Sequence, residues 1–444
     1  MNKVSIVRYE KPEESVAKAI ALSGAFDRLK KGDTVFIKPN IVFWSKVVDM
    51  PPWGVITTTR VVEDVVRELR NRGAGKIIIA EGTVTTDPKD TTTGIHAFET
   101  LGYNALARTY DLTVKDIFEC KFKPVDLGDG VTLGFAEDLL NADLVVNLPV
   151  LKTHAQTKVS LGLKNLKGCI DKKGRKLCHS PSMIMDLEAH VAKLSSVVKN
   201  VATVIDGIYT LEKGPGFSGN ARRSDIIIAS SDMVSADIVG AAALGFDPAE
   251  IRHIAIRCKE QGMEPSVSSV EIVGETIESV ASPHPWDFPY NPENTLPINM
   301  MKRGVTGLSF PKYDHSLCTY CSAIMGILQV AIGSAYNGKP FDKVQVLTGK
   351  MMMPDPYMHH TLLMGKCQVT LNKNNPDIKD PILVPGCPPD MGKLVEGVKK
   401  AGIDVDENIF KAFDMAPAMF MAKYAGREEF TQDFYRVKET MAAS

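Results

Sequence analysis

Short apolar runs alternate with amphipathic segments through residues 1–280. Five runs rich in β-branched residues end in polar residues, at positions 34–37, 77–80, 144–147, 202–205 and 226–229. Continuous apolar runs of this length predict strands buried on both faces of a parallel sheet. Apolar residues recur at helical spacing in residues 59–69, and residues 232–244 form a second, alanine-rich helix candidate. The alternation predicts an α/β domain whose mostly parallel sheet carries helices on both faces.

The pattern changes after residue 280. Residues 281–297 hold five prolines, which neither a regular helix nor a central strand accepts. The 444-residue length favours two or three domains. We therefore predict an α/β domain with a strand-end pocket in 1–280, a proline-rich linker in 281–297, a smaller cysteine-containing domain in 298–405 and a helical tail in 406–444.

Composition narrows the setting of this fold. Apolar residues make up 44% of the chain, charged residues 24%, and the net charge is −1. This balance is typical of a folded soluble protein and does not favour nucleic acid or a membrane as partner. The beginning of the sequence shows no signal-peptide pattern, and no apolar run is long enough to span a bilayer. We expect a cytoplasmic protein, and a homo-oligomer is compatible with this picture.

Four of the eight cysteines have the spacing of metal ligands. Cys318 and Cys321 form a C-x-x-C, Cys367 follows a glycine by two positions, and Cys387 lies in Gly-Cys-Pro-Pro. A close pair completed by two dispersed cysteines favours an all-thiolate [4Fe-4S] cluster, suited to electron transfer. Zinc, usually held by two close pairs, and a redox dithiol without metal are the alternatives. The remaining cysteines are predicted to be ordinary thiols: Cys120, Cys169, Cys178 and Cys258.

Polar residues follow the predicted strands where each strand ends. Because the carboxyl ends of parallel strands meet at one edge of a sheet, we expect these side chains to line one crevice. The predicted catalytic residues are Lys152, His154, Lys38 and Glu81, and the predicted substrate-binding residues are Asn40, Lys164, Asn165, Asp206 and Asp232. Lysines beside carboxylates and a histidine could bind an anion and move a proton. Singly, each residue is also explained by structure, and Asp232 suits a helix N-cap.

Three further features have two interpretations each. Lysines in residues 158–176 form either a solvated face or a basic edge that receives an anion or an acidic redox partner. Residues 214–219 match G-x-G-x-x-G, but a strand and not a helix follows, which argues against nucleotide binding. His359 and His360 could tune a cluster at Cys367 or be solvated loop histidines.

These landmarks together resemble the family called domain of unknown function 362. The resemblance covers residues 1–280 and is carried by four motifs, namely Lys38-Pro39-Asn40, residues 147–154 ending in Leu-Lys-Thr-His, residues 163–168 and Gly214-Pro215-Gly216. It implies an iron–sulfur-associated protein, although the chain lacks the compact ferredoxin cysteine run that many members carry. The Thr59-Arg60 helix start and the pocket lysines are also similar to nickel-dependent lactate racemases.

Three functions fit the sequence. The first is an oxidoreductase or electron-transfer protein, passing electrons through a [4Fe-4S] cluster to a redox partner or to a small anionic substrate in the crevice. The second is a non-redox isomerase or lyase acting on a small carboxylate, with a structural cluster. The third is an accessory or assembly factor for another redox protein.

Overall fold

The computed structural model describes residues 1–84, 90–182 and 184–437. Its strands are β1 (Lys3–Arg8), β2 (Val35–Lys38), β3 (Ile77–Glu81), β4 (Thr113–Asp116), β5 (Phe122–Asp126), β6 (Thr132–Ala136), β7 (Leu144–Asn147), β8 (Val150–His154), β9 (Lys158–Ser160), β10 (Val201–Glu212), β11 (Asn220–Ser230), β12 (Glu271–Gly274), β13 (Leu308–Ser309), β14 (Val344–Leu347), β15 (His360–Met364) and β16 (Asp380–Val384).

Helices connect most of these strands. They are α1 (Glu14–Ser23), α2 (Thr59–Asn71), α3 (Thr93–Thr100), α4 (Tyr103–Thr109), α5 (Glu137–Leu140), α6 (Gly162–Asn165), α7 (Lys172–Leu177), α8 (Leu187–Leu194), α9 (Met233–Ala243), α10 (Arg252–Gln261), α11 (Ile277–Val280), α12 (Ile298–Lys302), α13 (Thr319–Ala335), α14 (Gly365–Asn372), α15 (Met391–Lys400), α16 (Glu407–Lys411) and α17 (Ala416–Met421). Among the residues that the structure describes, no helix is both long and apolar enough to cross a bilayer.

The large sheet has the strand order β12-β1-β11-β10-β7-β2-β3-β4. Outside this order, β8 pairs with β10, and β9 pairs with β8. Strands β2, β3, β4, β7 and β10 are parallel, and the apolar residues of all but the edge strand β4 are buried on both faces. One apolar core lies on each face, and helices such as α2 and α9 cover them. The predicted fold class, an α/β protein with a mostly parallel sheet between helices, is therefore confirmed.

Strand β11 departs from the parallel pattern. It pairs with β10 in an antiparallel register that brings Thr203 opposite Ser230. Residues 213–219 connect the two strands directly, and a connection this short cannot make the crossover that a parallel pair needs. The carboxyl end of β11 therefore lies at the opposite edge of the sheet from the carboxyl ends of β2, β3 and β7.

A second sheet forms a separate core. Strands β13, β14, β15 and β16 lie side by side and all run parallel. Apolar residues between Leu296 and Phe410 pack around them, including the buried face of α13. Because these strands are parallel, the segments that follow β13, β15 and β16 meet at one edge, and these segments carry the four spaced cysteines.

The C-terminal segment returns to the first domain. Tyr424, Phe430 and Tyr435 belong to the core on one face of the large sheet. The Trp53 indole N–H donates to the carbonyl oxygen of Thr431 at 2.9 Å, and the Tyr435 hydroxyl donates to the Pro52 carbonyl at 3.0 Å. The tail contains α16, α17 and short 3-10 turns, and its last described part packs on the first domain.

Candidate functional site

A buried ion pair joins the ends of β2 and β3. The Lys38 ammonium lies 2.6 Å from Glu81 Oε2, and both side chains are almost fully buried. Backbone groups hold the Glu81 carboxylate from the other side, since the amides of Ile41 and Gly82 donate to it at 2.9 and 2.8 Å. The carboxylate thus accepts from one ammonium and two amides, and its charge also acts on Lys152 and Arg175.

Amide side chains continue the network toward β8. The Lys152 ammonium donates to Asn40 Oδ1 at 2.6 Å and to the Val55 carbonyl at 2.7 Å. Asn40 Nδ2 donates in turn to Asn165 Oδ1 at 3.1 Å, which also receives Lys38 at 3.4 Å. Five of the predicted site residues therefore form one connected hydrogen-bond network: Lys38, Asn40, Glu81, Lys152 and Asn165.

The backbone at Gly168 closes over this network. A β-carbon at Gly168 would lie 2.5 Å from Lys38 Cε and 3.1 Å from Glu81 Oε1. The Gly168 carbonyl accepts a hydrogen bond from Arg175 at 2.6 Å, and the same guanidinium reaches the Gly82 carbonyl at 3.0 Å. The close approach requires glycine, which explains why this position in the basic segment has no side chain.

Burial makes Lys152 unusual among lysines. Its pKa is lowered to about 7, mainly by desolvation and also by the positive charge of Lys38, while Glu81 opposes the shift. His154, at the end of β8, is also buried, and its Nδ1 accepts the Gln156 amide N–H at 3.1 Å. This contact assigns the proton of the neutral ring to Nε2. Burial, followed by the charges of Lys164 and Lys167, holds the His154 pKa well below its usual value.

Lys164 and Lys167 extend the positive wall toward the second domain. Both are partly buried, so the interpretation of these two as a fully solvated face is not supported. Lys167 donates to His179 Nε2 at 2.8 Å, since His179 Nδ1 faces the His315 carbonyl at 3.1 Å and carries the ring proton. Burial and then the charges of Lys167 and Lys152 depress the Lys164 pKa strongly.

Two predicted site residues do not join this group. Asp232 lies at the opposite edge of the sheet because β11 is antiparallel, and it caps helix α9 by accepting the Ser235 amide at 2.8 Å. Asp206 is buried within β10, and its carboxylate accepts the amides of Thr58 and Ile208 at 2.6 and 3.0 Å. Desolvation raises the pKa of Asp206 to about 6. The expectation that every strand end lines one crevice was wrong for Asp232.

The four spaced cysteines gather at the carboxyl edge of the second sheet. Cys318 and Cys321 lie at the start of α13 and are partly exposed, while Cys367 in α14 and Cys387 after β16 are exposed. A β-carbon at Gly365 would lie 3.2 Å from Cys321 Sγ, and the Lys366 amide donates to the Gly386 carbonyl at 2.8 Å. The loops carrying the two single cysteines are therefore bonded to each other and adjoin the C-x-x-C turn.

The thiols shift one another's pKa values. A hydrogen bond with the Cys321 thiol lowers the pKa of Cys318 against the effect of burial, and the charge of Lys167 lowers it further. The pKa of Cys321 is raised, first by this shared hydrogen bond and by burial, and then by the charges of Cys318, Cys367 and Cys387. The shared hydrogen bond thus favours the thiolate form on Cys318 over Cys321, and the thiolate is the form that binds metals.

A single metal ion makes stricter demands than this arrangement meets. Within residues 1–84, 90–182 and 184–437, no three His, Cys, Asp or Glu side chains form a group that could hold one ion. Four sulfurs around one zinc would lie about 4 Å apart, since Zn–S bonds are about 2.3 Å long. A four-iron cluster binds each thiolate to a different iron and therefore needs a wider set. The [4Fe-4S] cluster and its zinc alternative both stay predictions from the spacing of the cysteines.

The other predicted cysteines and histidines take structural positions. Cys120, Cys169, Cys178 and Cys258 are buried, and burial raises the pKa of each thiol. His359 and His360 lie at the amino end of β15, whereas Cys367 follows its carboxyl end. They pair with Asp342 and Asp380 at 2.7 Å, so they are surface partners of carboxylates and not cluster ligands.

Contacts bring the cysteine edge against the strand-end network. Gln156, two residues after His154, donates to the carbonyls of Asp314 and Leu317 at 2.8 and 2.9 Å. Lys350 reaches the carbonyls of Lys176 and His179 from the second domain. The charge of Lys167 acts on Cys318, as noted above, and that of Lys350 acts on Cys367. The two predicted sites therefore lie on facing surfaces of the two domains.

Sequence reasoning missed the residues that make this junction. His179 and Gln156 act through backbone carbonyls of the other domain, and no local spacing signals such partners. Asn147 was visible at the end of β7, and its side chain bonds Asn165 at 2.8 Å and the Gly162 carbonyl at 2.8 Å.

The glycine-rich loop at 214–219 connects β10 to β11, and the Pro215 carbonyl lies 3.4 Å from Lys152. Two surface cavities of about 320 and 220 Å³ lie elsewhere, near β1 and near Asp232.

Comparison with known proteins agrees with the sequence motifs. Residues 35–242 match the family described as domain of unknown function (DUF362). The chain is 27% identical over 252 residues to the thylakoid-associated protein sll1697 of Synechocystis sp., covering 56% of this chain and 74% of that protein. The predicted family resemblance is therefore confirmed over this part of the chain.

Solved structures give more distant likenesses. A structural-genomics protein from Thermotoga maritima is 13% identical with a TM-score of 0.34, over 58% of this chain and 60% of that chain. The lactate racemase apoprotein from Thermoanaerobacterium thermosaccharolyticum is 15% identical with a TM-score of 0.35, over 56% of this chain and 58% of that chain. The chain thus spans about three-fifths of each, and such scores assign no activity.

Proposed function

Because residues 35–242 belong to the DUF362 family, whose description assigns no activity, we propose a function from the site itself. The protein is an iron–sulfur protein that exchanges electrons between a redox partner and a small anionic substrate in the strand-end crevice. The observation that carries the proposal is the gathering of Cys318, Cys321, Cys367 and Cys387 beside a basic crevice, across a bonded domain junction. A cytoplasmic location suits it, since reduced thiols are needed to hold iron.

The four cysteines would hold a [4Fe-4S] cluster. When bound, such a cluster supplies one-electron transfer. The Cys318 thiolate and the glycine at 365, which leaves room beside Cys321, prepare the protein for such a ligand. Lys167 and Lys350 act on Cys318 and Cys367 with positive charge, which offsets the negative charge of an all-thiolate site.

The strand-end residues would bind and orient the substrate. Lys152 is held by Asn40 and the Val55 carbonyl, so its ammonium has a fixed position. His154 carries its proton on Nε2, the nitrogen that is not bonded to Gln156. A lysine with a pKa of about 7 can give or take a proton near neutral pH. The Lys38–Glu81 pair positions Asn40 and Asn165 and does not itself need to contact the substrate.

Anaerobic purification tests the cluster directly. We expect a brown protein with about four iron and four sulfide per chain, and an EPR signal that dithionite creates or abolishes. The control is the Cys258→Ala variant, whose cysteine is buried far from the set in sequence and should leave iron content unchanged. A colourless protein with one zinc per chain, or with no metal, would refute the proposal.

The lowered pKa of Lys152 favours one alternative, a non-redox isomerase or lyase that acts on a small carboxylate. Here Lys152 would move the proton, and the cluster would be structural. Incubation of candidate hydroxy acids in heavy water separates the two functions. Deuterium uptake beside the carboxylate without any change in the cluster's oxidation state favours the alternative. Oxidation of the hydroxy acid to the keto acid, with two clusters reduced by one electron each and two protons released per substrate, favours the redox function.

A further inference from the structure

The junction between the two domains has more lysines than carboxylates among its described side chains, and no carboxylate is ion-paired with Lys152, Lys164 or Lys167 there. Lys152, Lys164 and Lys167 face one another closely enough for each charge to act on the next. Glu81 acts on Lys152 but is paired with Lys38, and the charges that act on Lys164 come from Lys167, Lys152 and Cys178, with no carboxylate among them. Neutral His154 and His179 complete the wall. This arrangement of lysines destabilises the folded protein, since partly buried like charges repel one another.

Several side-chain N–H groups at this junction have no hydrogen-bond acceptor among the described residues. No described residue forms a hydrogen bond or an ion pair with the Lys164 ammonium, which carries three N–H groups. His154 has its free proton on Nε2. Lys167 uses one N–H on His179 and retains two. A wall of free donors is completed by a ligand that offers several acceptor oxygens and negative charge.

We propose that this junction binds a small oxyanion with two negative charges, a phosphate group or a dicarboxylate, through Lys164, Lys167 and His154. The inference rests on the proposed crevice and names the class of its ligand. Two charges are needed because Lys152 and Lys164 share the wall with Lys167. Asp206 and Asp232 take no part, since one is committed to backbone amides and the other lies at the opposite edge of the sheet.

The alternative use of these cations is to balance the cysteine site alone. Lys167 and Lys350 do act on Cys318 and Cys367. Lys164 differs, because the charges that act on it come from Lys167, Lys152 and the buried Cys178, and none comes from the four spaced cysteines. Lys164 is therefore the residue that separates an anion site from charge compensation.

Binding of inorganic phosphate, malonate and acetate to the full-length, anaerobically purified protein tests the inference. Calorimetry is done in chloride buffer at constant ionic strength. We expect phosphate or malonate, but not acetate, to bind; phosphate alone identifies a phosphate group, and malonate alone a dicarboxylate. Lys164→Gln should weaken binding about tenfold or more, the loss expected for one charge-assisted hydrogen bond. Exposed Lys173→Gln is the matched control and should bind normally.

A second readout guards against a folding defect. In anion-free buffer, Lys164→Gln should raise the thermal midpoint, because it removes repulsion that no partner offsets; a structural lysine would lower it. Binding of none of the probes beyond chloride, or unchanged affinity in Lys164→Gln, overturns the inference. Iron and sulfide are measured on the same samples. Anion binding without iron refutes the cluster and keeps the anion site, and a cluster without anion binding does the reverse.

Discussion

Lys38 and Glu81 form an ion pair of 2.6 Å in which neither side chain reaches solvent. Removing one partner leaves a buried charge without compensation. We expect Lys38→Met to cost about 3–5 kcal/mol of unfolding free energy, measured by denaturant titration. The double variant Lys38→Met/Glu81→Leu should recover much of this loss, because it removes both charges.

An ion pair with an exposed lysine provides the control for that experiment. Lys46 and Asp90 lie 2.9 Å apart, but the Lys46 side chain is 39% exposed. Lys46→Met should therefore cost no more than about 1 kcal/mol.

Gly168→Ala gives a second test of the Lys38–Glu81 pair, since its new β-carbon would lie 2.5 Å from Lys38 Cε. Equal stability of the Ala variant and the parent would contradict the close packing described here.

Cys367 and Cys387 offer the cleanest test of the metal site. Both are exposed, so replacing them should leave the fold intact. We expect Cys367→Ala and Cys387→Ala each to lower the iron content and to change the EPR spectrum, while the thermal midpoint of the metal-free protein stays within a few degrees of the parent. Cys120→Ala, at a buried thiol of the first domain, should keep its iron. Full iron in both exposed-cysteine variants would show that these residues are not ligands.

The sequence predicts those site residues whose positions follow from the pattern of their immediate neighbours. Lys38, Glu81 and Lys152 follow apolar runs that belong to parallel strands, so the rule for strand ends locates them correctly. Asp232 also follows such a run, but strand direction is not encoded in the run. The short connection at 213–219 is the signal that could have revealed the antiparallel pairing.

Contacts between distant segments lie beyond sequence patterns. Gln156 bonds backbone carbonyls of residues 314 and 317, and any polar side chain in a loop could do so. Tyr435 packs on the first domain although the predicted boundary assigned it to a separate tail. Such partners are selected by the three-dimensional packing of the whole chain, and a single sequence does not report them.

The pH dependence of stability should reveal Lys152. Its pKa is about 7 in the folded protein and near 10.5 when exposed, so the unfolded chain binds more protons between these values. Stability from this group therefore rises as pH increases from about 7 to about 10. Lys152→Met should flatten this part of the profile in denaturant titrations, and exposed Lys173→Gln should not. Lys164 contributes with the same sign, so some slope remains in the Lys152 variant.

Gln156 should control how firmly the two domains are joined. Its amide makes two hydrogen bonds to backbone carbonyls just before Cys318. Gln156→Ala should cost about 1 kcal/mol, since two part-buried carbonyls lose this donor while the Asp314 carbonyl keeps the Leu317 amide. Hydrogen exchange should accelerate around residues 314–321 and not in β10. Gln261→Ala, at an exposed side chain of α10, is the control, and equal exchange in both variants would argue against this contact as the junction.

Phe430 tests whether the C-terminal segment stabilises the first domain. Its ring is 7% exposed and lies 5.4 Å from Trp53 and 4.6 Å from Tyr424, measured between ring centroids. Phe430→Ala should cost about 3–5 kcal/mol, because it leaves a cavity between aromatic rings. Trp53 fluorescence should report the change, since the indole loses its apolar neighbour. Met419→Ala, at a side chain that is 75% exposed, should cost little. If the two variants unfold at the same denaturant concentration, the segment does not contribute to the core of the first domain.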